Sequence, residues 1–283
     1  MNIKDMIPAK VKAGLKTNLQ SILTRSIRCA LKEEGLEKMA SRLEEIIPDI
    51  SKQYSLFEVK GSYLNAKVRG MHAFQMSLID KVIHNFNDSI VIVDIGDSAG
   101  THMQYIRGLY SKGLNIRSLS VNLDEKAVVK IRSKGLEAIC AKAENLENYN
   151  INPDIFLCFE TLEHLMDPCK FLNGLSSNTK VKYLIATVPY LANSRIGLHH
   201  IRQCDQRDVY AENTHIFELS PDDWKLLIRH SGWRVENEQV YLQYPMRGLW
   251  RATRSLWRKN DFEGFYGFVL SRDSDWSSKY KDW

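Results

Sequence analysis

The stretch Val91-Ile-Val-Asp-Ile-Gly-Asp-Ser-Ala-Gly-Thr101 decides the fold of this chain. A short β-branched run ends at a turn that contains Gly96, Ser98 and Gly100, and an amphipathic helical pattern follows. This order predicts a buried strand, a tight turn and the start of a helix. The two glycines remove side chains where the backbone must bend and where a ligand can come close. The turn would direct free N–H groups of the helix toward an anion, so we interpret it as the cofactor loop of a nucleotide-type α/β fold.

Strand and helix patterns alternate along the chain from residue 89 onward. The strand patterns cover 90–95, 117–123, 137–141, 154–159 and 181–188, and helical patterns at 101–112, 125–134 and 167–176 separate them. Serial β–α units form a parallel sheet with right-handed crossovers. Because ligands of such sheets bind beyond the carboxyl ends of the strands, the residues just after each strand are the candidate site.

The alternation stops after Pro189, where a long polar connection covers 190–217. A loop of this length in a compact domain is usually functional. Ser220 then begins a capped helix, and alternating segments at 234–242 and 264–271 close the sheet. We expect a helical N-terminal extension and an α/β domain that carries two insertions. The predicted bounds are 1–60 for the extension, 61–283 for the domain, and 190–217 and 245–260 for the insertions.

The composition indicates an ordinary globular protein, with 44% hydrophobic and 26% charged residues in 283. The formal net charge of +5 is weak evidence for an acidic partner. Five cysteines lie far apart with no CxxC pair, and no secretory segment or apolar run of roughly 18 residues is present. These features predict a cytoplasmic protein.

Two basic amphipathic segments allow more than one interpretation. Near the N-terminus an apolar stripe at helical spacing lies among lysines and arginines, and residues 245–260 place four arginines opposite tryptophans and leucines. Such helices suit peripheral contact with an anionic membrane, and the arginines of the second segment could instead bind the phosphate of a nucleotide-sugar or lipid-linked acceptor. The interpretation that we favour is that both segments dock on the α/β domain.

The wider sequence indicates the cofactor class more specifically than the loop does. A phosphate-binding pattern of the form GxxxxGKS is absent, and a dinucleotide fingerprint would need glycines where Ser98 and Thr101 stand. The loop and the later segments together resemble the small-molecule branch of the class I S-adenosylmethionine-dependent methyltransferase family. The later segments are Ala143-Glu-Asn-Leu146, Phe156-Leu-Cys-Phe-Glu-Thr-Leu-Glu-His-Leu-Met-Asp-Pro168, Ile185-Ala-Thr-Val-Pro189, His215-Ile-Phe-Glu-Leu-Ser-Pro-Asp-Asp-Trp224 and Ser231-Gly-Trp-Arg-Val235.

The resemblance implies a Rossmann-like, mostly parallel sheet of seven strands with an antiparallel last strand, and S-adenosyl-L-methionine as cofactor. The residues that it assigns to cofactor binding are Asp94, Gly96, Ser98, Gly100, Asn122, Ala143, Glu144, Phe159 and Glu160. Three positions depart from the family pattern. Ser98 replaces a glycine, Asn122 stands where an acid normally binds the ribose, and Lys142 also replaces an acid. An amide can still bond both ribose hydroxyls, but without charge assistance.

The expected reaction is methyl transfer to a small molecule, with an oxygen of a carbohydrate or lipid-linked metabolite preferred. A hydroxyl acceptor needs a base, and histidine titrates near neutral pH. The candidate bases are His164, His199, His200 and His215. No HxH or HExxH spacing occurs, so no metal site is predicted. The sequence elements of DNA-base and protein-arginine methyltransferases are unmatched, so no nucleic-acid partner is expected.

Two other functions stay open. The three departures in one pocket fit an adaptor that binds the cofactor and has lost turnover. An NAD-dependent enzyme is the remaining possibility.

Overall fold

A computed structural model describes residues 9–55, 57–149, 151–197, 210, 214–260 and 262–279. Its strands are β1 (Ser89–Ile95), β2 (Asn115–Asn122), β3 (Glu137–Cys140), β4 (Ile155–Phe159), β5 (Tyr183–Pro189), β6 (Arg195–Ile196), β7 (Phe217–Glu218), β8 (Trp233–Leu242) and β9 (Gly264–Arg272). Its α-helices are α1 (Ala9–Glu33), α2 (Glu37–Ile46), α3 (Gly61–Ile83), α4 (Thr101–Tyr110), α5 (Glu125–Ser133), α6 (Pro168–Asn178), α7 (Pro221–His230), α8 (Arg254–Asn260) and α9 (Ser274–Ser277).

A seven-stranded sheet forms the centre, in the order β3-β2-β1-β4-β5-β9-β8. The first five of these strands pair in parallel, and β9 pairs antiparallel with both of its neighbours. The last strand therefore inserts between β5 and β8, which confirms the predicted fold class. The strand order reverses between β1 and β4, and ligands of such sheets bind at this crevice.

Side chains alternate between two cores on opposite faces of the sheet. Ile92 of β1 packs in a core with α1 to α5, whereas its neighbour Val93 packs in a second core with α6 and α7. This follows from the period of two along a strand, which directs successive side chains to opposite faces. Both faces are covered, so the central strand β4 is apolar and buried throughout, as central parallel strands usually are.

The described part of the N-terminal extension packs against the α/β domain. Leu23 and Ile27 of α1 are buried in the same core as the sheet. Ser26 Oγ lies 2.8 Å from Thr253 Oγ1 and accepts a hydrogen bond of 3.1 Å from Trp257 Nε1. The side chains of residues 1–16 lie outside the described residues. For the rest of α1, these contacts are those of a docked helix.

The segment at 245–260 differs from the single amphipathic helix that we predicted. It begins with a 3₁₀ turn, Leu249–Thr253, and continues as α8. Because a 3₁₀ turn has three residues per turn, the apolar residues do not share one face. Trp257 is fully buried, but Leu249 is 95% exposed. Arg254 and Arg258 both pair with Glu263.

Among the described residues, no helix is both long enough and apolar enough to cross a membrane.

Candidate functional site

Residues 94–101, named here the glycine loop, connect β1 to α4. Gly96 and Gly100 have φ angles of +88° and +72°, in the left-handed region that favours glycine. Packing also restricts both positions. A Cβ at Gly96 would lie 2.3 Å from Thr161 Oγ1, and one at Gly100 would lie 2.5 Å from a methyl carbon of Leu136. The loop therefore needs both glycines to fold, whatever ligand it binds.

Asp94 is the residue before the last in β1 and is 1% exposed. Its Oδ2 lies 2.8 Å from Nδ1 of His102 on α4, while its Oδ1 has no hydrogen-bond partner among the described residues. Burial raises the pKa of Asp94 to about 6, although His102 opposes this shift. Burial alone would lower the pKa of His102, but the Asp94 carboxylate more than offsets it and the pKa of His102 is raised. The pair leaves one buried carboxylate oxygen available at the end of β1.

Ser98 stands at the glycine position of the family pattern and has an ordinary backbone conformation, since Glu160 is the single non-glycine residue with positive φ in the described part of the chain. Its Oγ accepts a hydrogen bond of 3.0 Å from the Ser55 backbone N–H and lies 3.1 Å from Ser55 Oγ. Ser55 belongs to the segment formed by residues 49–55 and 57–60, named here the covering segment. Its neighbour Gln53 accepts hydrogen bonds from Thr101 and Lys134. The covering segment therefore lies directly on the glycine loop.

Asn122, at the end of β2, is 9% exposed and uses both ends of its amide within the protein. Nδ2 donates to the Asp97 carbonyl at 3.0 Å, and Oδ1 accepts from the Asp124 N–H at 2.7 Å. The Asp97 side chain accepts three further hydrogen bonds, from the Ala99 and Gly100 backbones and from Ser120 Oγ. Asn122 and Asp97 therefore hold the shape of the glycine loop.

Ala143 and Glu144 begin a 3₁₀ helix, Ala143–Tyr149, beyond the end of β3. Both line a cavity of about 330 Å³ between this helix, Phe156 of β4 and α6. The residues of the glycine loop do not line this cavity. Ala141, two residues before Ala143, donates a hydrogen bond of 3.0 Å to the Asn122 carbonyl, which joins this segment to the end of β2.

The end of β4 carries a strained residue. Glu160 has a φ of 49°, which costs a residue with a side chain roughly 1–2 kcal/mol. Its N–H donates to the Thr187 carbonyl at 2.8 Å, and its buried Oε1 has no partner among the described residues. Burial raises the pKa of Glu160 to about 7. Phe159, before it, meets His102 edge-on with ring centroids 5.0 Å apart. Backbone strain of this kind is concentrated at functional sites.

Five ionisable residues meet beyond β4, and we name them the acid–histidine cluster: Glu160, Glu163, His164, His215 and Glu218. His164 and His215 are 51 positions apart in the chain, and their rings are perpendicular with centroids 4.7 Å apart. A hydrogen bond of 2.7 Å from the Ile216 N–H to the Glu163 carbonyl joins the two parts of the backbone. The structure thus brings two of the four predicted histidines together. His199 and His200 lie outside the described residues.

The carboxylates of this cluster differ in their surroundings. Glu218 accepts hydrogen bonds from His215 Nδ1, at 3.1 Å, and from Arg195. Burial alone would raise the pKa of Glu218, but these partners bring it below its ordinary value. Glu163 is fully buried, and neither of its carboxylate oxygens has a hydrogen-bond partner among the described residues. Burial, with repulsion from Glu160, raises the pKa of Glu163 well above its ordinary value.

The sequence suggests an acid–base group of Glu160, Glu163 and His164, but Glu218 and His102 were missed by the sequence predictions. Glu218 lies three residues from the predicted His215, and that proximity was a usable signal. His102 lies on α4, eight residues after Asp94, and nothing in the pattern of that helix distinguishes it.

Comparisons with known proteins give structural matches only. No protein-family model matches the sequence, and no curated protein matches it significantly. The magnesium protoporphyrin IX methyltransferase of Synechocystis PCC 6803, solved with bound SAH, matches with a TM-score of 0.53 and 12% identity over 89% of this chain and 100% of that chain. An O-methyltransferase from a trans-AT PKS multienzyme of Brevibacillus brevis, in complex with S-adenosyl-L-homocysteine, matches with a TM-score of 0.50 and 10% identity over 76% of each chain.

The chain has the class I methyltransferase fold. A 4+2 cyclase also matches, with a TM-score of 0.54 and 10% identity over 86% of this chain and 96% of that chain. Identities of this size show the fold alone. Function has to be argued from the residues that the methyltransferase fold carries here.

Proposed function

We propose that this chain is an S-adenosylmethionine-dependent methyltransferase that acts on a small molecule, with an oxygen of a carbohydrate or lipid-linked metabolite as the acceptor. The observation that carries the proposal is the Oδ1 atom of Asp94. It is a buried carboxylate oxygen without a hydrogen-bond partner among the described residues, at the end of β1. A buried acceptor without a partner is costly, so it suits a ligand donor such as the ammonium group of the cofactor.

The residues that would hold the cofactor are those that the resemblance names. Asp94 would bind its ammonium group, the glycine loop would lie against its methionine and ribose, and Asn122 would bind the ribose with an amide. Asn122 keeps capacity for this, since an amide offers two N–H donors and two acceptor lone pairs and only one of each is used internally. Ala143 and Glu144 would meet the adenine, and Phe159 and Glu160 the sulfonium end.

When bound, S-adenosylmethionine supplies an electrophilic methyl group. An acceptor hydroxyl that takes this methyl group would have to lose its proton. The protein's part is alignment and proton removal. His164 and His215 stand on the β4 side of the crevice, beside Glu160, and either imidazole could accept that proton.

The cofactor half is tested by thermal unfolding in the presence of S-adenosylmethionine or S-adenosylhomocysteine. A ligand at about 100 times its Kd stabilises the folded state by about 2.7 kcal/mol, which raises the melting temperature measurably. Asp94→Asn should remove most of this shift. The matched control is Asp88→Asn, the same change on the exposed residue before β1. No shift with the unmodified protein at millimolar ligand would contradict the proposal.

A second candidate function is an adaptor that binds the cofactor without turnover. Two observations favour it: Ser98 is bonded to the covering segment, and Asn122 is bonded within the loop. Incubation with S-adenosylmethionine carrying a labelled methyl group and a broad metabolite extract separates the two. Labelled product supports the methyltransferase, and bound cofactor with no product in any fraction supports the adaptor.

Peripheral membrane contact is a further prediction. The check is co-sedimentation with vesicles of anionic lipid against vesicles of neutral lipid. Sedimentation that is equal for the two lipids, or absent, would contradict it.

A further inference from the structure

Three residues of the acid–histidine cluster have possible metal-ligand atoms close together. Glu163, His164 and His215 each offer one such atom, and the three atoms lie within 4.8 Å of one another. His164 Nε2 lies 3.9 Å from Glu163 Oε1. Two ligand atoms bound to one tetrahedral ion are about 3.4 Å apart, so small rotations of the side chains would suffice to bind an ion.

Hydrogen bonds orient both imidazoles through the same nitrogen. His164 Nδ1 lies 3.1 Å from the Thr214 carbonyl, which can only accept, so Nδ1 carries the proton and donates. His215 Nδ1 lies 3.1 Å from Glu218 Oε1 and donates in the same way to a carboxylate that Arg195 also binds. A neutral imidazole that donates from Nδ1 presents a lone pair at Nε2. This arrangement of a carbonyl or carboxylate behind the histidine is typical of metal ligands.

Glu163 supplies an independent observation. The residue is fully buried, and neither carboxylate oxygen has a hydrogen-bond partner among the described residues. Buried carboxylates are normally paired, hydrogen-bonded or bound to a metal. His164 Nε2, 3.9 Å from Oε1, is beyond hydrogen-bond distance, so no donor among the described residues satisfies these two oxygens.

We propose that Glu163, His164 and His215 bind a divalent cation. The donor set of two imidazole nitrogens and one carboxylate favours a first-row transition-metal ion such as Zn²⁺, Co²⁺ or Mn²⁺, because Mg²⁺ and Ca²⁺ prefer oxygen ligands throughout. Three protein ligands leave at least one coordination position open, as in catalytic rather than structural sites.

A second group of possible ligands, Asp94, Asp97 and His102, is a weaker candidate. Both oxygens of Asp97 accept hydrogen bonds from the loop and from Ser120, and His102 Nδ1 is bonded to Asp94. These atoms already form hydrogen bonds within the protein. The second group therefore serves as the comparison in the experiment.

The role of the metal site in catalysis, given next, rests on the proposed function. An acceptor hydroxyl bound at the open position would lose its proton more readily, because a cation stabilises the alkoxide. The two histidines would then hold the cation instead of acting as bases. An acceptor with two adjacent oxygens would occupy the open position best.

The experiment is equilibrium dialysis of the full chain, purified without a histidine tag and treated with a chelator, against Zn²⁺, Co²⁺ or Mg²⁺. We expect one Zn²⁺ or Co²⁺ per chain, a visible absorption band of the Co²⁺ form, and no stoichiometric Mg²⁺. Glu163→Gln and His215→Gln should each weaken binding roughly tenfold or more and remove the band. Circular dichroism establishes that each variant folds.

Two controls make the result specific. His84→Gln removes a histidine whose side chain is 73% exposed and should leave Co²⁺ binding unchanged. His102→Gln tests the second group. The proposed site would be overturned if the unmodified protein bound no stoichiometric ion, or if folded Glu163→Gln bound the ion unchanged. Loss of ion binding in His102→Gln alone would also overturn it. Ion binding without a thermal shift from S-adenosylhomocysteine would support the metal site and contradict the proposed function. A thermal shift without ion binding would support the proposed function and contradict the metal site.

Discussion

The glycine loop and the acid–histidine cluster follow neighbouring strands, β1 and β4, yet their polar side chains differ in how far the protein satisfies their hydrogen bonds. In the glycine loop, Asp97 and Asn122 find partners within the protein, and Ser98 is bonded to the covering segment. In the acid–histidine cluster, Glu163 is fully buried with neither oxygen bonded in the described structure, and Glu160 adds a strained backbone. The loop is built to keep its shape, whereas the cluster contains buried carboxyl oxygens of Glu160 and Glu163 to which no described residue forms a hydrogen bond.

This difference separates two kinds of evidence for function. A glycine motif is easily recognised in a sequence, but packing within the protein already requires both glycines here. Uncompensated buried groups are costly to folding and persist where they serve a ligand or a reaction. Within the glycine loop, Asp94 Oδ1 is the atom that meets this second criterion. The predictions below test whether the two regions differ as described.

The largest effect is expected at Gly96. Gly96→Ala should lower the free energy of unfolding by about 3 kcal/mol, because the left-handed backbone costs about 1–2 kcal/mol and the clash with Thr161 adds a similar amount. The matched control is Gly135→Ala, which has a φ of +72° but nothing within 4 Å of the added carbon. It should cost about 1 kcal/mol. Urea unfolding measures both, and equal losses would show that packing does not restrict Gly96.

Much of the fold could be predicted from local signals, and the reasons are visible in single residues. Ser220 caps α7 through its contact with the Asp223 N–H, as its sequence position predicted. The β–α alternation determined the parallel strands, because apolar runs bounded by turns encode them locally. The segment at 245–260 was predicted wrongly, since a 3₁₀ turn and an α-helix place the same residues on different faces.

The site was predictable only in part. His164 and His215 were candidates because each lies in a recognisable segment, but their contact across the chain depends on the pairing of Ile216 with Glu163. The bond between Ser55 and Ser98 joins residues 43 positions apart, and no local pattern marks it. Whether Glu163 finds a partner is likewise decided by long-range packing.

A second prediction compares one substitution at two acids of the cluster. Glu218→Gln should lower the free energy of unfolding by about 2 kcal/mol, because it removes a charged acceptor that serves His215 and Arg195. Glu163→Gln should cause no loss in the presence of a chelator, because no described residue bonds to that carboxylate. Chemical unfolding of the two variants measures this. A loss in Glu163→Gln equal to that in Glu218→Gln would mean that Glu163 is satisfied within the fold.

A third prediction concerns the pH dependence of cofactor binding by the Asp94 carboxylate. The pKa of Asp94 is about 6, so the carboxylate is ionised above this pH and protonated below it. Only the ionised form attracts an ammonium group, so affinity for S-adenosylhomocysteine should fall about tenfold between pH 7.5 and a pH about one unit below the pKa. Calorimetric titration measures it. Asp94→Asn should bind weakly at both pH values, and an equally steep profile in that variant would assign the titration to another group.

The smallest effect is expected where the covering segment meets the glycine loop. Ser98→Ala removes the acceptor of the Ser55 backbone N–H, and a lost hydrogen bond of this kind costs about 1 kcal/mol. Ser55→Ala removes only the hydroxyl contact and leaves the N–H bonded to Ser98, so it should cost less. Hydrogen exchange should show faster exchange of the Ser55 amide in Ser98→Ala than in Ser55→Ala. If the two variants exchange alike, the backbone bond does not hold the segment on the loop, and Ser98 is then as open to a ligand as the glycine it replaces.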